Sequence, residues 1–117
     1  MMQMLVQPHE LTELVSREPA VLVLFGGRHC GVCRAIKPQL DAMLAEHFPR
    51  MVAAYVDCQN EASSLCAQQH VFSLPVVKLW FDDRPFAEFV RVFSLGDIRA
   101  AITRPYDVMM TSHSLKG

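Results

Sequence analysis

Two hydrophobic rhythms take turns along this chain. Apolar residues recurring every three or four positions mark amphipathic helices, and short unbroken apolar runs mark strands buried on both faces. Leu5–Val6 predicts a short first strand. Pro8 suits a first helical position because its missing N–H would go unpaired there anyway. Leu11, Leu14 and Val15 follow at helical spacing, so residues 8–17 read as a helix that Glu18-Pro19 ends. Ala20–Phe25 (AVLVLF) is apolar throughout and predicts a central strand, broken by Gly26-Gly27. From Cys30 to Phe48 the stripe Ile36, Leu40, Met43, Leu44 and Phe48 predicts a longer helix, with Pro38 inside it as a kink.

Met51–Val56 (MVAAYV) predicts a further buried strand, and Asn60 to Gln69 a short helix with Ala62, Leu65 and Cys66 on one side. Pro75–Phe81 and Phe86–Phe93 read as two strands joined by a short turn at Asp82-Asp83-Arg84, a hairpin. Gly96–Thr103 predicts a last helix with Ile98 and Ile102 inward. Past Arg104-Pro105 the sequence becomes small and polar, so residues 106–117 are expected to form a flexible tail behind a single domain over residues 1–105. Strand–helix alternation ending in a hairpin predicts an α/β fold, a central mixed sheet with helices on both faces.

Composition narrows the functional classes. The chain has 117 residues, 51% of them hydrophobic, which suits one domain with a true core. The net charge of −1 is spread without a basic stripe or an acidic run, which argues against nucleic acid as a partner. The start, MMQMLVQPHE, lacks the basic region of a secretory signal, and no apolar run reaches the roughly 18 residues of a membrane helix. A soluble, cytoplasmic protein with no membrane partner is the expectation. In the cytosol thiols stay reduced, so a close cysteine pair there is catalytic or metal-binding more often than structural.

Such a pair stands at the strand-to-helix junction, in RHCGVC. A sulfur at a helix N-terminus meets unpaired N–H groups and the positive end of the helix dipole, which favour a thiolate. Cys30 is therefore the expected nucleophile, with Arg28 and His29 adding to the effect, because the thiolate is the species that attacks disulfides. Cys33, three residues on, shares its face and is expected to sit deeper. Cys30 would attack a substrate disulfide, and Cys33 would then resolve the mixed disulfide. Gly31 would keep the approach to the sulfur open. Zinc sites use the same spacing, but no second close ligand pair accompanies this one, so no metal is expected. Arg34 stands where a c-type haem motif needs His. Cys58 and Cys66 read as a loop thiol and a core thiol, because eight helical residues span about 12 Å, too far for a disulfide unless the segment rearranges.

VLVLF, CGVC, Pro38, VDCQN, SLPVV and Gly96 occur in an order that resembles the thioredoxin family, over about Val21 to Ile102. The resemblance implies a thioredoxin-like fold and a thiol–disulfide oxidoreductase that reduces protein disulfides. It would carry no bound cofactor beyond the redox-active Cys30–Cys33 disulfide and would be recharged by an NADPH-dependent flavoprotein reductase. It also implies that the Leu74-Pro75 bond is cis and faces the pair, with the Leu74 backbone pairing an extended substrate. His29, Gly31, Val32, Leu74, Pro75 and Val92 are the expected substrate-binding residues, Val32, Leu74, Val76 and Val92 forming an apolar rim.

Four positions depart from the family pattern. His29 and Gly26 replace tryptophans, Val32 replaces the central proline of the motif, and Leu24 replaces a buried acid that serves the deeper cysteine. An apolar neighbour there would raise the Cys33 pKa and leaves its proton handling to water or His29. Arg91 also stands where the family has a small glycine beside the groove. These departures keep two other classes open: an adaptor or chaperone-like binding module, and a redox sensor with little turnover.

Overall fold

The computed structural model describes residues 2–116, with side chains as far as Ser112. Nine elements follow one another: β1 (Gln3–Leu5), α1 (Pro8–Arg17), β2 (Ala20–Gly26), α2 (Gly31–His47), β3 (Val52–Asp57), α3 (Ser63–Gln68), β4 (Val76–Phe81), β5 (Arg84–Val90) and α4 (Leu95–Lys116). The expected order holds, and most boundaries move by one or two residues.

The strands form one sheet in the order β1-β3-β2-β4-β5. β1 and β2 run parallel to β3, whereas β4 lies antiparallel to both β2 and β5. β2 is central, and every one of its residues is buried. Its side chains alternate between two cores, as a pleated strand requires. Leu22 and Leu24 join the cluster holding Ile36 and Leu40 of α2 and Ile98 and Ile102 of α4. Val21, Val23 and Phe25 join the one holding Leu11 and Leu14 of α1 and Leu65 of α3. An unbroken apolar run is thus the sequence of a strand covered on both faces.

The hairpin differs from the sequence reading. β5 begins at Arg84, not Phe86, and ends at Val90, so the turn is Asp82-Asp83 alone. Both residues have positive φ, 53° and 65°. That left-handed pair matches the twist of flanking strands in a two-residue turn, and aspartate tolerates it.

The expected loose tail is the larger correction. α4 continues through Pro105 to Lys116, and Tyr106 and Met109 are buried in the first core. Proline removes one backbone donor, but the burial of the following turn outweighs that loss. Phe48 meets the Tyr106 ring edge-on at 5.1 Å, and the Arg50 amide donates to the Tyr106 hydroxyl at 3.0 Å. Gly117 and the side chains from His113 onward lie outside the described residues. α2 likewise runs on through Pro38, which faces solvent.

Candidate active site

The site begins where β2 runs out. Gly26 and Gly27 end the strand, a turn closed by the Cys30 amide on the Gly27 carbonyl (3.0 Å) follows, and Cys30 caps α2. As N-cap, Cys30 has extended backbone, and its Sγ accepts the Cys33 amide at 3.2 Å. A sulfur thus occupies the place that Ser or Asp oxygen takes at other helix starts, next to donors that favour negative charge.

Cys30 and Cys33 are joined in a disulfide, with Cα atoms 5.3 Å apart. Their exposure is unequal: Cys33 is 0% exposed, while Cys30 is half-buried. The order of burial is the one expected for an attacking and a resolving sulfur.

Pro75 comes to the same end of the sheet by topology. Phe25, near the end of β2, pairs with Val76, the first residue of β4, so the cysteine loop and the residues before β4 share one edge. The Leu74–Pro75 bond is cis. Val76 in turn pairs with Val90, and the Arg91 amide donates to the Pro75 carbonyl at 2.8 Å, which brings Val92 to this edge. Val92 is 93% exposed and Val32 61% exposed, whereas Leu74 is half-buried and Val76 is buried. Val76 therefore faces the second core and leaves the expected rim. Gly31 has open space where a Cβ would stand.

Three further contributors went unread in the sequence. Gln59, on the turn after β3, accepts the His29 amide through Oε1 at 2.8 Å and braces the loop ahead of Cys30. Two polar residues after a strand carry no mark of such a role. Phe72 is 80% exposed, three residues before Pro75, and is a large apolar side chain in a loop, a signal that was legible. Tyr55 of β3 pairs in register with Leu24, so it stands beside the position of the missing acid. Burial raises the Tyr55 pKa from 10.0 and nearby Asp57 adds to the rise, with Arg34 opposing.

Cys58 and Cys66 form a second disulfide, Cα atoms 5.7 Å apart, contrary to the expected pair of free thiols. α3 starts only at Ser63. Residues 58–62 fold as turns instead, and this brings Cys58 back against the helix. Among the described residues no cluster of three or more His, Cys, Asp or Glu could hold a metal ion.

A family model described as Thioredoxin matches residues 3–104. The chain belongs to the thioredoxin family. Sequence relatives include a thioredoxin of Mycolicibacterium smegmatis, 29% identical over 80 residues, which cover 68% of this chain and 71% of that protein. Another is the protein named Thioredoxin-like 3-2, chloroplastic, of Arabidopsis thaliana, 28% identical over 71 residues, covering 61% of this chain but only 37% of the relative. Among solved structures, the thioredoxin of Fasciola hepatica superposes with a TM-score of 0.79 at 26% identity, covering 88% of this chain and 98% of the other. The fold is thioredoxin-like, and its cysteine pair is one that forms a disulfide. No helix among the described residues is long and apolar enough to cross a membrane.

Proposed function

We propose that this thioredoxin-family protein reduces or exchanges disulfides in other proteins through a Cys30/Cys33 dithiol–disulfide cycle. The observation that carries the reading is the unequal burial of a bonded pair at a helix start: Cys30 only partly buried as N-cap, Cys33 sealed below it. Reduced Cys30, as thiolate, attacks one sulfur of a substrate disulfide. The Cys30–substrate bond forms, the substrate S–S bond breaks, and the released thiolate takes a proton. Cys33 then loses its proton and attacks Cys30 Sγ, forming Cys30–Cys33 and expelling the second substrate thiol. The substrate gains two electrons and the pair loses them.

Val32, Leu74, Val92 and Phe72 offer an apolar rim for an extended protein segment, with the backbone beside cis-Pro75 as its hydrogen-bonding edge. His29 and Gly31 flank the entering sulfur. An NADPH-dependent flavoprotein reductase would return the pair to the dithiol state, and the cytoplasm would be the compartment. The chain needs no bound cofactor in this scheme.

Reduction of a small disulfide-bonded protein, driven by dithiothreitol, tests it. Cys30→Ser is expected to bring turnover to background, and Cys33→Ser to accumulate a mixed disulfide visible by mass spectrometry. Normal turnover in Cys33→Ser would end the two-cysteine scheme. A double Cys→Ser protein that binds partners as tightly as the parent, while the parent shows no turnover, would make this an adaptor instead.

A further inference from the structure

Gly26 lies against both Cys33 and Tyr55. A Cβ built on it would fall 2.8 Å from the Cys33 Cβ and 2.7 Å from the Tyr55 hydroxyl oxygen, closer than atoms pack. Both neighbours therefore border the same small notch, and the notch exists because residue 26 has no side chain. Leu24, two residues back on β2, is fully buried and apolar, and Val77 beside it on β4 is apolar too. Neither strand supplies a polar side chain at this position. β3 does: Tyr55 stands in register with Leu24 and reaches the notch with its hydroxyl.

We propose that the Tyr55 hydroxyl is the hydrogen-bond donor that stabilises the Cys33 thiolate during the resolving step. The inference rests on the two-cysteine reading above. As Cys33 gives up its proton, the charge develops on a sulfur without exposure to water. A buried anion with no partner is costly, and a hydrogen bond to it is worth more than one between neutral groups. Tyr55 donates without losing its own proton. The Cys33–Cys30 bond forms, the Cys30–substrate bond breaks, and the proton that Cys33 gives up is balanced by the one the leaving substrate thiolate takes up. Because burial raises its pKa, Tyr55 stays protonated, and so a donor, across the range where thiols ionise.

The charged groups around the ring act in two directions. The Lys37 ammonium of α2 lies 4.5 Å from the ring centroid, and Arg34 of α2 also acts on Tyr55. Both favour negative charge nearby. Asp57, at the end of β3, disfavours it. A donor that carries no charge of its own fits this balance.

Tyr55→Phe removes the oxygen and keeps the ring. The test follows release of substrate thiol from the preformed Cys30 mixed disulfide, in a single turnover, across pH. Resolution is expected to slow about tenfold at neutral pH, with the profile moved about one unit to the alkaline side. Rates should converge at high pH, where the thiol ionises unaided. In parallel, the Cβ NMR shift of Cys33 in the reduced protein is titrated, a readout independent of turnover, and its midpoint should rise by a similar amount. An unchanged Cys33 midpoint, or equal slowing at every pH, overturns the assignment. Loss of all turnover in the parent protein would instead sink the cycle itself, while a shifted midpoint would still uphold the assignment of Tyr55.

Discussion

At Arg91 the backbone adopts φ 61°, in the left-handed region. A residue with a Cβ loses about 1–2 kcal/mol there, which glycine avoids, less what glycine forfeits in unfolded-state entropy. Arg91 is exposed, and its amide holds the Pro75 carbonyl. Arg91→Gly should keep that hydrogen bond and stabilise the protein by about 0.5–1 kcal/mol. A urea midpoint that rises at constant m-value would record the gain. A lower midpoint would mean that the guanidinium makes contacts worth more than the backbone loses. Single residues were legible in the sequence where their chemistry is local. Cys30 and Cys33 need only one helical turn between them, whereas the cis Leu74-Pro75 bond rests on the family resemblance, since X-Pro chemistry permits that isomer without requiring it. Tyr55 and Gln59 were not legible, because each meets residues more than twenty positions away in the sequence. Their partners depend on strand register and on the path of a loop.

The clearest gap at the scale of elements lies between β3 and α3. Helical periodicity made residues 60–69 one helix and so held Cys58 and Cys66 apart. In the structure three of those residues are spent in turns before the helix begins at Ser63. Apolar spacing does not distinguish a first helical turn from a run of reverse turns, so the second disulfide stayed hidden. Its position gives it reach. The Cys58 amide donates to the Gly26 carbonyl at 2.8 Å, and the neighbouring Gln59 holds the His29 amide. The bridge therefore pins the loop that braces the approach to Cys30. Replacing Cys58 by serine and the buried Cys66 by alanine leaves Cys30–Cys33 untouched and removes this constraint without placing a hydroxyl in the second core. For a loop this short, the loss of stability should be about 2–3 kcal/mol, read from urea unfolding under oxidising conditions. Faster hydrogen exchange at the His29 amide should accompany it. An unchanged midpoint would show that turn hydrogen bonds and the packing of Leu65 fix this segment without the bridge.

For the whole molecule, the two-sided sheet was legible because β2 and β3 are apolar along nearly their full length, which only coverage on both faces explains. The end of the chain was misread for a physical reason as well. Pro105 looks like a stop, yet a proline costs a helix one donor and one local clash, while the next turn buries Tyr106 and Met109. The family match ends at residue 104, so this last stretch of α4 lies beyond the matched region. If residues 106–112 were loosely held, Tyr106→Ala would change stability by no more than about 0.5 kcal/mol, as exposed substitutions do. With Tyr106 only 7% exposed and packed edge-on against Phe48, the expected loss is about 3–5 kcal/mol. Tyr106→Phe keeps the ring and gives up only the bond from the Arg50 amide, so about 1 kcal/mol should separate it from the parent. Thermal or urea unfolding of the two variants separates ring burial from the hydrogen bond. A small effect of both would return the helix end to the status of a tail. The expected ordering makes the last turns of α4 a part of the first core, closing its lower edge beside Phe48 at the C-terminal end of α2.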